Sequence, residues 1–244
     1  MNFALKKIFR PWCIGTILFA LRLYQNVMDF DHVTGLALPS AAGTALVIFL
    51  FVAFAMELVS TRKLSKNCPT FSEHFSTPEK SLSVLVIGSF LLAGGGLLMG
   101  YEALTLHTGI APLVTATLCI ASCCGFLVLT QQLKHQEVSS VIPLLPVMFF
   151  STFFVLTLYF PAASDPILAR YYLPILAAGV TAYAFALLAG FFRKETKIKT
   201  FTLFGNFAVM LCIAAAAQLT LSHSLIFLSC ALLLSVFLSL QKTV

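Results

Sequence analysis

The chain has 244 residues, 59% of them hydrophobic and 10% charged, with a formal net charge of +6 and a mean hydropathy of +0.98. That balance excludes a soluble globular domain, which needs far more polar surface to face water. It also excludes nucleic-acid binding as the reason for the basic excess, because the cations gather beside the ends of apolar runs rather than on one soluble face.

Lipid must therefore solvate the chain, and in hydrocarbon only helices or closed barrels satisfy every backbone group. Apolar runs of about 16–20 residues without strand alternation select helices. The expectation is an all-α integral membrane protein, a single transmembrane domain over residues 1–244 with no soluble domain. Cys68 alone among the 7 cysteines lies in a polar loop, so no disulfide framework is implied.

Lys6, Lys7 and Arg10 precede the first apolar stretch, residues 12–28. Arg22 interrupts it and no small-residue cleavage pattern follows, so it reads as an uncleaved first span rather than a signal peptide. Asp29, Asp31 and His32 form a short acidic turn before a second span over 39–59. The polar segment 60–81 carries Arg62, Lys63, Lys66 and Lys80, and its Thr77-Pro78-Glu79 has the cap, first-turn proline and acid of a helix start.

The third span runs from there to about Tyr101, and a loop with Glu102 and His107 leads to a fourth span over about 111–130. Lys134, His135 and Glu137 occupy the next turn. Ser139 and Ser140 can cap a fifth span ending near Phe160, in which Pro143 fits the first turn and Pro146 is expected to bend the helix. Ser164-Asp165-Pro166 signals an interfacial turn before a sixth span over 171–192, which ends at the basic stretch 193–199. Residues 201–240 are too long for one crossing of about 30 Å. Ser222-His223-Ser224 divides them into a seventh span, about 201–220, and a short eighth, about 225–240, with seven spans in total as the competing count.

Eight spans entered from the cytoplasm place every one of the 15 Lys and Arg residues inside except Arg22, within the membrane, and Arg170, outside. That strong positive-inside bias puts both termini in the cytoplasm, in a plasma membrane of bacterial type. An internal echo is also present. Leu38, Pro39, Ala41, Ala42 and Gly43 recur as Leu173, Pro174, Ala177, Ala178 and Gly179, and Arg62-Lys63 as Arg193-Lys194. The echo is open to two explanations, a four-plus-four repeat of halves 1–134 and 135–244, or chance in a chain so rich in Leu, Ala and Gly.

Arg22 is the sharpest chemical clue, because a charge near the bilayer centre is costly without a partner or water. With Gln25 and Asp29 it forms one helical stripe, flanked by Tyr24 and Asn26. As a substrate site, Arg22 would attract an anionic group and Gln25 would orient it; as structure, Arg22 would snorkel or pair between helices. Glu57 is expected near the cytoplasmic boundary, answering Arg62 or Lys63, and a proton-coupling role for it would require burial against another span. Glu102, His107 and His223 read as scattered loop residues rather than a metal site. Cys119, Cys123 and Cys124 read as packing residues. Gly94-Gly95-Gly96, the row Ala182, Ala186, Gly190, and the run 214–217 are expected at close helix contacts, and the 24 phenylalanines as lipid-facing and packing surface.

No metal-binding H-E-x-x-H, nucleophile elbow or phosphate loop is present, so no catalytic residues, cofactor or metal are assigned and the chain is not expected to be an enzyme. A transporter of a small solute or ion is the leading expectation. A non-transporting membrane subunit or regulator, packing on a partner membrane protein or on another copy of itself, is the alternative. Labelling of single introduced cysteines should place 60–81, 193–200 and the carboxyl terminus inside the cell and 102–110 and 161–170 outside; an external carboxyl terminus excludes eight spans.

Overall fold

A computed structural model describes residues 3–28, 41–62, 64, 79–107, 109–135, 142–159, 171–192, 197–217 and 220–241. The acidic turn with Asp29, the segment holding Cys68, and the stretches holding Pro39, Asp165 and Arg193 lie outside these residues. The described residues are helical apart from short turns, bends and connecting residues at the helix ends and a single bridge residue at Gln241. The helices are α1 (Phe3–Met28), α2 (Ala41–Thr61), α3 (Glu79–Thr105), α4 (Ile110–His135), α5 (Leu144–Thr152), α6 (Tyr172–Phe192), α7 (Ile198–Ala215) and α8 (Leu221–Leu240). Six of them, α2, α3, α4, α6, α7 and α8, are long and apolar enough to cross a membrane. The continuous apolar helix Leu144–Tyr159 is shorter, and α1 has comparable length but carries Arg10 and Arg22.

Successive helices alternate in direction, as their end contacts show. At one end, Trp12 Nε1 donates to Ser235 Oγ at 2.8 Å, Lys199 Nζ to the Arg62 carbonyl at 2.6 Å, and Thr202 Oγ1 to Gln241 Oε1 at 3.1 Å. At the other, Asn26 Nδ2 donates to the Ala217 carbonyl at 2.6 Å and Ser222 Oγ to Glu102 Oε2 at 2.7 Å. Arg10, Arg62, Lys197 and Lys199 all belong to the first, basic end.

Six helices close a ring in which α7 packs on α8, α8 on α3, α3 on α4, α4 on α5, α5 on α6, and α6 back on α7. Phenylalanine fills it. Phe126 of α4 meets Phe185 of α6 at 5.5 Å, and Phe153 meets Phe227 of α8 at 5.7 Å, contacts that reach across the ring rather than between neighbours. Phe149 and Phe150 complete the column at full burial. The lipid-facing share of the phenylalanines, such as Phe51 and Phe90, accompanies this large interior share.

α1 lies outside the ring against α7 and α8, and α2 lies against α1 and α7. α7 is consequently enclosed by α1, α2, α6 and α8, which is why a helix apolar on every side is buried nearly all round. Glycine lets α3 approach its neighbours. A Cβ on Gly95 would stand 3.1 Å from both the Ile226 nitrogen and the Ser222 oxygen of α8, and one on Gly96 would stand 3.0 Å from Cys119 of α4. Gly94 faces open space.

Three expectations need correction. α7 ends at Ala215 and α8 begins at Leu221, so Ser222-His223-Ser224 lies inside the first turn of a full 20-residue α8. There Ser224 Oγ donates to the Ala216 carbonyl at 2.8 Å, satisfying the end of α7 rather than interrupting α8. Pro146 falls in the first turn of α5, where its missing N–H would have had no intrahelical partner. The irregularity comes later, where the chain widens into a π-helix over Phe153–Tyr159. Finally, Ala182, Ala186 and Gly190 face outward or are half-buried, and the opposite stripe with Ala177, Thr181, Ala184 and Leu188 is the packed one.

Gly95→Ala should cost about 1–3 kcal/mol through backbone displacement against α8. Gly94→Ala should be neutral or stabilising. Thermal unfolding of the two variants in detergent checks the pair.

Candidate functional site

Two polar clusters sit on the seam where α1 and α2 meet the ring, one toward each end of α1. Arg22 belongs to the cluster away from the basic end. It lies about 9 Å from the end of α1 at Met28 and is only 2% exposed. Its Nη1 donates to Gln25 Oε1 at 2.5 Å, one helical turn on, and Gln25 is 6% exposed. Tyr172, in the first turn of α6, donates its hydroxyl to the same Gln25 oxygen at 3.4 Å, while its ring lies 5.3 Å beneath the Arg22 guanidinium. Asn26, the next residue along α1, donates to the carbonyl of Ala217 in the turn just past the end of α7.

The structure therefore joins Arg22 and Gln25 and aims both inward, so Arg22 does not snorkel to the surface. Tyr24 points outward at 56% exposed. Asp29 lies outside the described residues. Tyr172 escapes a reading of the sequence because it is remote along the chain and belongs to an apolar run whose facing side the sequence does not declare.

The second cluster surrounds Glu57. This carboxylate is 1% exposed, turned into the bundle rather than out to its surface, and it is answered by Arg10 and not by Arg62. Asn206 Nδ2 of α7 donates to its Oε2 at 3.0 Å, and Arg10 Nη2 of α1 stands 3.1 Å from its Oε1. The latter is an ion pair rather than an aligned hydrogen bond, since the angle leaves both atoms without bonding geometry. The expectation for Glu57 fails because the residue shares a helical stripe with Leu46, Leu50, Ala53 and Thr61, all turned toward α1 and α7. That stripe is invisible in a sequence apolar on all sides of α2. Arg10, which the sequence marks only as a topology signal, takes part in the cluster as well.

Elsewhere, Glu102 is bonded to Ser222, and its charge acts on the half-buried His223, whose ring packs edge-on against Phe153 at 5.5 Å. His107 stays exposed in the turn after α3, at a positive φ of 51°. Cys119 and Cys123 are buried and Cys124 is exposed. Cys119 Sγ lies 3.2 Å from the Leu92 carbonyl, a packing contact between α3 and α4. No cluster of three or more His, Cys, Asp or Glu side chains fit to hold a metal occurs among the described residues.

Arg10→Met should cost about 2–4 kcal/mol by stranding a buried Glu57, less than for a fully buried pair because Arg10 is 37% exposed. The double variant Arg10→Met/Glu57→Gln should recover most of that loss. Melting of both single variants and the double, as a thermodynamic cycle, checks it. No protein-family pattern, characterised protein or solved structure matches this chain, so its functional reading rests on these residues alone.

Proposed function

We propose that this chain is a transporter of a small solute or ion, not an enzyme, spanning a bacterial-type plasma membrane eight times with both termini in the cytoplasm. The alternating helix directions and the gathering of Arg10, Arg62, Lys197 and Lys199 at one end support the topology. Eight crossings require α1 and the Leu144–Tyr159 helix to join the six longer apolar helices. For the four-plus-four repeat, the adjacent pairs α1–α2 and α3–α4 have packed counterparts in α5–α6 and α7–α8. Against it, α6 packs along α7 whereas α2 makes no comparable contact with α3 among the described residues.

The observation that carries the transport reading is the buried guanidinium of Arg22, held by Gln25 and Tyr172 about 9 Å inside the end of α1. Ionisable groups inside a membrane mark ligand or ion pathways often enough to make this the working assignment. Arg22 would attract an anionic group, Gln25 would orient it, and Asp29 would stand at the outer mouth. A second reading, a non-transporting subunit bound to a membrane-protein partner or to another copy, is favoured by one feature: the ring interior is packed with phenylalanine rather than lined with polar groups.

Reconstitution in proteoliposomes decides between them, with flux of chloride and of small organic acids as the readout. Arg22→Met should lower flux about tenfold or more while leaving the melting temperature equal or higher, because a buried charge seldom repays its desolvation. Unchanged flux in that variant removes the site. Absence of flux together with stable co-purification of another membrane protein establishes the second reading.

A further inference from the structure

At the basic end, α1 and α2 leave an open groove of about 670 Å³ on the outward side of the bundle, walled by Val52, Ala55, Met56, Val59 and Ser60 of α2 and by Arg10 of α1. We infer that this groove is a binding site for one anionic phospholipid, with the headgroup phosphate on Arg10 and Ser60 and an acyl chain along the α2 wall.

The order of the lining groups matches a lipid. Ser60 is at the basic end, and the wall runs from it through Val59, Met56 and Ala55 to Val52, about 12 Å along the helix toward the membrane interior. Donors therefore stand at headgroup depth and apolar side chains at acyl depth. Val52, Met56 and Val59 are 48–61% exposed on this face, so the bundle itself does not cover them.

Charge selects the headgroup. Glu57, the carboxylate paired with Arg10, is 1% exposed and sits behind the arginine, bonded to Asn206, so an occupant of the groove meets the guanidinium and not the acid. Arg10 Nε and Nη2 are buried and face the bundle, while the side chain as a whole is 37% exposed and lines the groove, so the donor an occupant meets is the remaining guanidinium nitrogen, Nη1. Arg62, Lys197 and Lys199 at the same end add positive potential beyond the neutralised pair. A zwitterionic lipid would bring its own cation into that field. The site is separate from the Arg22 cluster and does not depend on the transport reading.

Native mass spectrometry of the full chain released from detergent, with equal phosphatidylglycerol and phosphatidylcholine added, tests the inference. One phosphatidylglycerol should be retained in about tenfold preference, the discrimination expected of one charge-assisted contact. Arg10→Gln should abolish the preference. Ala55→Trp, which fills the groove without touching the ion pair, should abolish retention of either lipid in a protein of unchanged melting temperature. Equal retention of the two lipids overturns the proposal, as does a preference that survives Ala55→Trp. Displacement of the lipid by inorganic phosphate alone would show a small-anion site instead, and a dimer that excludes lipid would show that a second copy covers the groove.

Discussion

The structure depends on how closely helices can approach α7 and α8 when lipid, not water, is the competitor for their surfaces. Hydrocarbon solvates leucine as well as another helix does, so association is won by dense packing and interhelical hydrogen bonds. Small residues supply the first. A Cβ added to Gly15 of α1 would stand 3.3 Å from the Met210 backbone of α7, and Gly95 gives α3 the same closeness to α8. Polar side chains near the helix ends supply the second, through Trp12 to Ser235, Asn26 to Ala217 and Ser222 to Glu102.

Filling the ring with phenylalanine has a consequence for where polar chemistry can sit. Phe126, Phe149, Phe150, Phe153, Phe185 and Phe227 leave its centre without charged groups, and the stacked pair Phe150 and Phe185, 5.3 Å apart, locks α5 to α6. Arg10, Arg22 and Glu57 lie instead on α1 and α2, outside the ring. There each is answered locally, Arg22 by Gln25 and Tyr172, and Glu57 by Asn206 and Arg10. The π-helical turn over Phe153–Tyr159 rotates the end of that helix so that Thr157 meets Thr115 of α4 at 3.0 Å.

Part of the candidate site is legible in the chain itself. Arg22 and Gln25 are one turn apart and polar in an apolar run, so helical geometry alone pairs them. Tyr172 is not legible, because its contact with Gln25 joins residues 147 apart in the chain. Glu57 is misplaced for a related reason. Its distance from the end of α2 follows from residue count, but direction around a helix cannot be read where every neighbour is apolar, and direction decides between surface and burial.

The sequence by itself determined the helical class, the membrane as solvent, the approximate helix limits and the clustering of cations at alternate helix ends. Each of these follows from local composition, because backbone satisfaction in hydrocarbon admits few structures and charge asymmetry accumulates loop by loop. The tertiary structure alone decided the neighbour order, with α7 enclosed and α2 peripheral. It also turned Glu57 inward, left the row Ala182, Ala186, Gly190 half-buried or exposed, and placed α8's start before Ser222 rather than after it. In a uniformly apolar chain no moment marks the inner face, so rotation and partner choice are set by which surfaces interlock, a property of helix pairs and not of any single helix.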